Sequence, residues 1–184
     1  MPFRNTKSAW GSLSKALHWI IVLLIINQWV IAERAASLPK GPALISALAW
    51  HKSFGITILL LAVIRLLWRW MNPVPDLTAE TKPWERSLAK VSHVLLYALI
   101  FAMPLSGWTM SSARSFPVSW FGWVQLPDLV SPDPHLYERL NSLHHLLFKV
   151  LVVVAVLHAA GALKHHFIDR NDVLKRMLPF GGVK

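Results

Sequence analysis

The sequence contains no cysteine among its 184 residues. Disulfide bonds, thiolate ligation of haem iron and cysteine-bound iron–sulfur clusters are therefore excluded. Charge is also scarce, because only 15% of the residues are charged, and 9 are Asp or Glu against 19 Lys or Arg. Apolar residues make up 54% of the chain. This balance is typical of an integral membrane protein.

Four apolar stretches are long enough to cross a membrane, at about residues 15–33, 51–71, 90–111 and 143–164. We therefore predict an all-α fold, an integral membrane four-helix bundle in a single domain over residues 1–184. The first stretch follows basic residues, as a signal peptide does, but shows no small-residue cleavage site, so we expect it to be retained. The longest loop is expected from Ser111 to Asn141.

The formal net charge of +10 is distributed unevenly along the chain. Basic residues concentrate between the second and third spans, within 65–90, and after the fourth span, from 164 onward. The positive-inside rule then places both termini in the cytoplasm, which predicts a multi-pass membrane protein. Nucleic-acid binding is not expected, because no basic stripe with interleaved aromatic residues lies outside the spans.

Two histidines in the fourth span, His144 and His158, are fourteen residues apart. An α-helix turns about 100° and rises about 1.5 Å per residue, so the two rings face nearly the same way and lie about 21 Å apart along the axis. His145 would point about 140° away from His158, which favours His144. Because imidazole is a common axial ligand of haem iron, we predict two stacked haem sites, one near each membrane surface.

The depths of the other histidines in the spans predict their partners. With the amino terminus inside, His18 enters at the inner edge and His51 lies at the outer edge. Two axial imidazoles from facing helices at one depth give His51 with His144 for the outer haem iron, and His18 with His158 for the inner haem iron. His93 is a further histidine at the inner level. The alternative is that these are interfacial or hydrogen-bonded core histidines, but four that match in depth favour ligands.

Arg65 and His165 repeat the same helical period. Arg65 lies fourteen residues after His51 and at the depth of the inner haem, where a guanidinium can pair with a haem propionate or a quinone oxygen. His165 lies seven residues after His158, within about 20° of the same face, and is placed to serve a quinone or a proton at the cytoplasmic surface. A solvated interfacial histidine is the alternative reading of His165.

The sequence contains a specific combination of residues, which consists of Arg65, His93 and the three runs 17–19, 50–56 and 157–167. In this pattern the chain resembles the bacterial cytochrome b561 family along nearly its whole length. The resemblance implies a four-span inner-membrane protein with two haems b. It also implies ligand pairs between the first and fourth spans and between the second and fourth, which here are His18 with His158 and His51 with His144.

The resemblance further implies electron transfer across the membrane, exchange with ubiquinone and, for one branch of the family, oxidation of periplasmic superoxide. We therefore expect a superoxide:quinone oxidoreductase in which no side chain need act as a general base or nucleophile. The alternative is an electron-carrier haem subunit, which would relay electrons between a periplasmic or membrane partner and the quinone pool. A transporter or structural membrane protein without haem is a third possibility.

Overall fold

A computed structural model of the chain describes residues 2–76 and 81–179. Four long helices dominate this part: α1 (Ser12–Ser37), α2 (Pro42–Trp70), α3 (Pro83–Ala113) and α4 (Pro134–Phe167). Each is long and apolar enough to cross a membrane. A two-stranded antiparallel hairpin, β1 (Ser119–Trp120) and β2 (Val124–Gln125), lies between α3 and α4, and the short helix α5 (Val173–Met177) follows α4. The predicted all-α membrane bundle is confirmed, with the small hairpin as an addition.

The long helices begin before the apolar stretches that predicted them. Each of α2, α3 and α4 starts at a proline, whose fixed φ angle and missing N–H suit the first helical turn. The Asp133 carboxylate caps α4 by accepting the backbone N–H groups of His135 at 2.9 Å and Leu136 at 3.0 Å. The loop predicted over 111–141 was therefore too long at both ends. The helices extend into it through polar residues, which a prediction from hydropathy assigns to the loop.

The helices pack in chain order, α1 on α2, α2 on α3 and α3 on α4. Their shared core is a cluster of Ala62 from α2, Leu99 and Ile100 from α3, and Leu151 from α4. Among the described residues, Leu151 is the one fully buried residue of α4, which packs closely on α3 and α5 but not on α1 or α2. Side chains rather than close backbone packing connect α4 to the first two helices, among them Phe148, whose ring lies 6.0 Å from that of Trp29, and two pairs of histidines.

The chain before α1 folds across one end of the bundle, which is the inner end in the predicted topology, and is fixed there by the buried side chain of Asn5. Its Oδ1 accepts the backbone N–H of Gly11 at 2.9 Å and the hydroxyl of Ser14 at 2.6 Å, and its Nδ2 donates to the carbonyl of Pro73 at 3.0 Å. Only glycine fits at position 11, since a Cβ atom there would lie 2.4 Å from the carbonyl oxygen of Phe3. These contacts tie the amino-terminal segment to the end of α2.

The hairpin folds back onto α2 at the opposite, outer end. The hydroxyl of Ser53 lies 3.1 Å from the carbonyl oxygen of Ser119 and accepts the backbone N–H of Phe121 at 3.0 Å. The indole of Trp120 donates to the Thr57 hydroxyl at 3.1 Å. Phe121 has a left-handed φ of 51°, which turns its ring onto α2 within the hairpin. The hairpin therefore covers the part of α2 that begins beside His51.

Candidate metal centres

His51 of α2 and His144 of α4 face each other near the outer end of the bundle. Their ring centroids are 6.3 Å apart and their ring planes meet at 72°. Both side chains are partly buried, whereas the neighbouring His145 is exposed. The structure thus turns His144 inward and His145 outward, as the helical angles predict.

His18 of α1 and His158 of α4 repeat this arrangement at the inner end. Their ring centroids are 6.5 Å apart and their planes meet at 71°. Both side chains are again partly buried. The two pairs therefore have nearly the same geometry, although they come from different pairs of helices.

Both distances fit an ion held between two imidazole nitrogens. A metal–imidazole bond is about 2 Å long and the ring centre lies about 1 Å beyond the nitrogen, so trans ligands have centroids about 6 Å apart. The helices that carry each pair are also not in close backbone contact, since α4 packs closely on α3 and α5 and not on α1 or α2 in the described residues. The residues present accordingly fit a flat, bis-histidine-ligated haem at each level.

His93 of α3 lies beside the inner pair and contacts His158 rather than facing it across a gap. Its ring centroid is 5.1 Å from that of His158, with the planes at 66°. This separation is shorter than the roughly 6 Å expected of trans ligands on one metal. The structure therefore places His93 against the edge of the inner pair, where it supports the His158 ring.

Helix α3 contributes no ring to the outer pair, but it contacts one of its members. The hydroxyl of Ser106 lies 2.9 Å from Nδ1 of His144 and also donates to the carbonyl of Met103 at 2.8 Å. Gly107 lies against the same imidazole, since a Cβ atom there would be 3.2 Å from its Cε1. Neither residue was singled out from the sequence, where each is one small residue within an apolar helix.

Arg65 lies on α2 close to both His18 and His158. Its Nη1 donates to the backbone carbonyl of Ser14 at 2.9 Å, one turn of α1 before His18. A small cleft lined by Arg65, Ser14 and Tyr97 opens beside the guanidinium. The predicted depth of Arg65 agrees with this position, and the α1 backbone occupies one of its donors.

His165 lies in a polar cluster where the end of α4 meets the start of α3. Its Nδ1 is 2.7 Å from Oδ2 of Asp169, and Lys164 donates to Asp169 at 2.8 Å and to Glu85. The hydrogen bond from Lys164, aided by His165, holds the pKa of the Asp169 carboxyl below its usual range. The Lys164 ammonium bridges both carboxylates, so the cluster sets one cationic side chain against two anionic ones.

Residues 9–180 of the chain match the family described as prokaryotic cytochrome b561. Cytochrome b561 homolog 2 of Escherichia coli K12 is 36% identical, over 97% of this chain and 95% of its own length. A protein of Yersinia pestis named probable superoxide oxidase CybB is 30% identical, over 92% of this chain and 96% of its own. Cytochrome b561 homolog 1 of Escherichia coli K12 is 26% identical, over 89% of this chain and 93% of its own. The predicted resemblance is confirmed, and the chain belongs to the prokaryotic cytochrome b561 family of membrane electron-transfer proteins, which bind haem b.

Proposed function

We propose that this protein holds two haems b and carries electrons through the bacterial inner membrane from periplasmic superoxide to ubiquinone. His51 and His144 ligate the outer haem iron, and His18 and His158 ligate the inner haem iron. The observation that carries this assignment is the repeated geometry of the two pairs, with centroid distances of 6.3 Å and 6.5 Å. Since each pair takes one ring from α4, the two sites are stacked along one helix.

Superoxide is the proposed electron donor because a relative that matches nearly the whole chain is named a probable superoxide oxidase. Two superoxide ions each give up one electron and leave as O₂, while one ubiquinone takes up the two electrons and two protons and leaves as ubiquinol. Bound haem iron supplies the one-electron chemistry. A haem held by two histidines would have no open position for oxygen at the iron, which suits electron transfer.

The chain's own residues keep water and charge away from the region between the two levels. The cluster of Ala62, Leu99, Ile100 and Leu151 lies in this region and is wholly apolar. At the outer end the hairpin lies over α2 beyond His51, and the Lys52 ammonium donates to the carbonyl of Pro117 at 2.8 Å. This fixed cation gives the outer rim a positive charge that attracts an anion such as superoxide.

At the inner end, Arg65 pairs with a haem propionate or a quinone oxygen, and His165 serves the quinone or its proton. Arg65 retains further donors besides the one that binds Ser14, because a guanidinium carries five N–H groups. His165 is partly buried and hydrogen-bonded to Asp169 at the surface of the bundle. With both termini cytoplasmic, as the distribution of Lys and Arg indicates, these residues face the cytoplasmic side of the membrane.

A rapid-mixing experiment tests this function. The full-length protein in lipid nanodiscs, with ubiquinone in excess, is mixed with enzymatically generated superoxide, and haem reduction and ubiquinol formation are recorded. We expect both haems to be reduced, ubiquinol to form, and His51→Ala to abolish both signals. Protein that dithionite reduces fully but superoxide leaves oxidised would contradict the superoxide assignment.

An electron carrier that docks a periplasmic or membrane partner is the second candidate. It is favoured by the tip of the hairpin, where Trp123 is 78% exposed. Exposed aromatic side chains are common in protein interfaces as well as in the membrane interface belt. Inertness to superoxide, combined with fast reduction by a small soluble electron-transfer protein, would support this candidate.

A further inference from the structure

Helix α3 holds the ring of His144 from two sides. Ser106, which is 8% exposed, places its hydroxyl oxygen 2.9 Å from Nδ1 of the imidazole. Gly107, the next residue, leaves a gap that a methyl group would fill, since a Cβ atom would lie 3.2 Å from Cε1 and 3.6 Å from Nδ1 of His144. The ring can therefore neither rotate freely nor approach α3 more closely.

The direction of the hydrogen bond follows from the second contact of Ser106. Its hydroxyl donates to the backbone carbonyl of Met103 at 2.8 Å, so its single hydrogen is used there. The hydroxyl oxygen is then free to accept a hydrogen from Nδ1 of His144, and the Met103 carbonyl lies beside the same imidazole as a second acceptor. This fixes the neutral tautomer with the proton on Nδ1 and leaves the lone pair on Nε2, which is the nitrogen available to a metal.

The opposite ring of the outer pair has different surroundings. Nδ1 of His51 is buried and makes no hydrogen bond to the part of the chain that the structure describes. The Gln28 side chain on α1 donates to the backbone carbonyl of His51 at 2.9 Å, and the Gln28 backbone lies beside the His51 ring. The two rings of the outer pair are thus unequal, and His144 is the one whose orientation a side chain controls.

We propose that Ser106 and Gly107 are positioning residues for the outer haem, an inference that rests on the proposed function. A hydrogen bond accepted from Nδ1–H makes the imidazole a stronger electron donor at Nε2, as acceptors behind metal-bound histidines do. A stronger donor stabilises ferric iron relative to ferrous iron. Ser106 therefore lowers the reduction potential of the outer haem, and Gly107 permits the ring orientation in which this bond forms.

The test is a potentiometric titration of the full-length protein with Ser106→Ala, Ser106→Thr and Thr109→Ala. The Thr109 hydroxyl donates only to the backbone carbonyl of Leu105, at 2.9 Å on the same helix, so its removal is the matched control. We expect Ser106→Ala to raise the reduction equilibrium constant of the outer haem about 2- to 10-fold, the usual worth of one hydrogen bond. A tenfold change is about 59 mV for one electron. Ser106→Thr, which keeps a hydroxyl, and Thr109→Ala should titrate like the wild type.

Gly107→Ala supplies a second measurement. The added methyl group should turn the His144 ring and shift the low-spin ferric EPR signal of the outer haem while leaving that of the inner haem unchanged. Equal outer potentials in the wild type and Ser106→Ala, with both haems bound, would overturn the inference, as would an unchanged EPR signal in Gly107→Ala. Failure of the proposed function looks different, because the His144→Ala variant would then keep both haems.

Discussion

The rings of His51 and His144 come from different helices and meet at 72° with their centroids 6.3 Å apart. His18 and His158 repeat this relationship at 71° and 6.5 Å. A chance contact between two histidines has no reason to recur with the same spacing and angle at the other end of a bundle.

Single replacements of the four histidines should remove the haems in two groups. His51→Ala and His144→Ala should each remove the same haem, and His18→Ala and His158→Ala the other, because a bis-histidine site needs both rings. Pyridine haemochrome assays and reduced-minus-oxidised spectra measure the loss. His145→Ala is the matched control and should keep both haems, since that side chain is exposed.

Replacing His93 tests the inner assignment. Its ring centroid is 5.1 Å from that of His158, so it contacts that ring without facing it across a metal. We expect His93→Ala to retain two haems, with a small shift in the spectrum of the inner one. An inner haem that disappears from His93→Ala but survives in His18→Ala would show that α3, and not α1, supplies the ligand.

The crossed ring planes predict a particular EPR spectrum. When two axial imidazoles lie near perpendicular, two of the iron d orbitals become almost equal in energy, and the low-spin ferric signal is highly anisotropic. The rings of the two histidine pairs meet at 72° and 71°, so haems held by these pairs would belong to this class. Low-temperature EPR of the oxidised protein should therefore show two large-g signals, whereas an ordinary rhombic signal from either haem would mean that its rings lie parallel.

Removing the charge of Arg65 should make the inner haem harder to reduce. A nearby guanidinium favours the reduced, less positive centre, and a partly buried charge contributes on the order of 1 kcal/mol to such an equilibrium. We expect Arg65→Gln to lower the potential of the inner haem and leave the outer one unchanged in a spectroscopic redox titration. Arg69→Gln is the control, because its guanidinium lies over the Trp10 ring, 5.9 Å from the centroid; an equal effect of the two variants would show a general charge effect.

The Asp169 carboxylate should make a pH-dependent contribution to stability. The hydrogen bond from Lys164 lowers its pKa in the folded protein, so the folded state is stabilised while the carboxyl is ionised. This stabilisation is present above the ordinary aspartate pKa of about 3.9 and is lost as the pH falls through the lowered value. Thermal melts of the wild type and Asp169→Asn should therefore differ at neutral pH and converge in acid. A difference that stayed constant with pH would assign the effect to packing.

Much of the candidate site follows from the sequence because it depends on one helix at a time. The angle and rise of an α-helix placed His144 and His158 on one face and excluded His145, with no knowledge of the neighbouring helices. Pairing His144 with His51 and His158 with His18 by their depth in the membrane then needed only the order of the spans along the chain. The outer loop was less predictable, since its short hairpin depends on hydrogen bonds to Ser53 on another helix.

Contacts between helices were not predictable from periodicity. The hydrogen bond between His144 and Ser106 requires a particular rotation of α3 about its axis relative to α4, which side-chain packing decides. The same holds for Arg65, whose depth the sequence indicates but whose hydrogen bond to the Ser14 carbonyl depends on how α2 packs on α1. Glu85 and Asp169 meet Lys164 only because the start of α3 lies beside the end of α4.

Helix α4 carries one ring of each pair and contains proline only at its start, whereas α3 has Pro104 within it. The separation of the two sites is therefore fixed by the rise of one continuous helix rather than by packing between helices. If the other helices tilt when the membrane thins, their contacts with the two histidine rings of α4 change, but the distance between the two sites along α4 does not. A single residue inserted between His144 and His158 would rotate one ring by about 100° relative to the other. The length of α4 between His144 and His158 thus sets both the separation of the two sites and the relative orientation of the two rings.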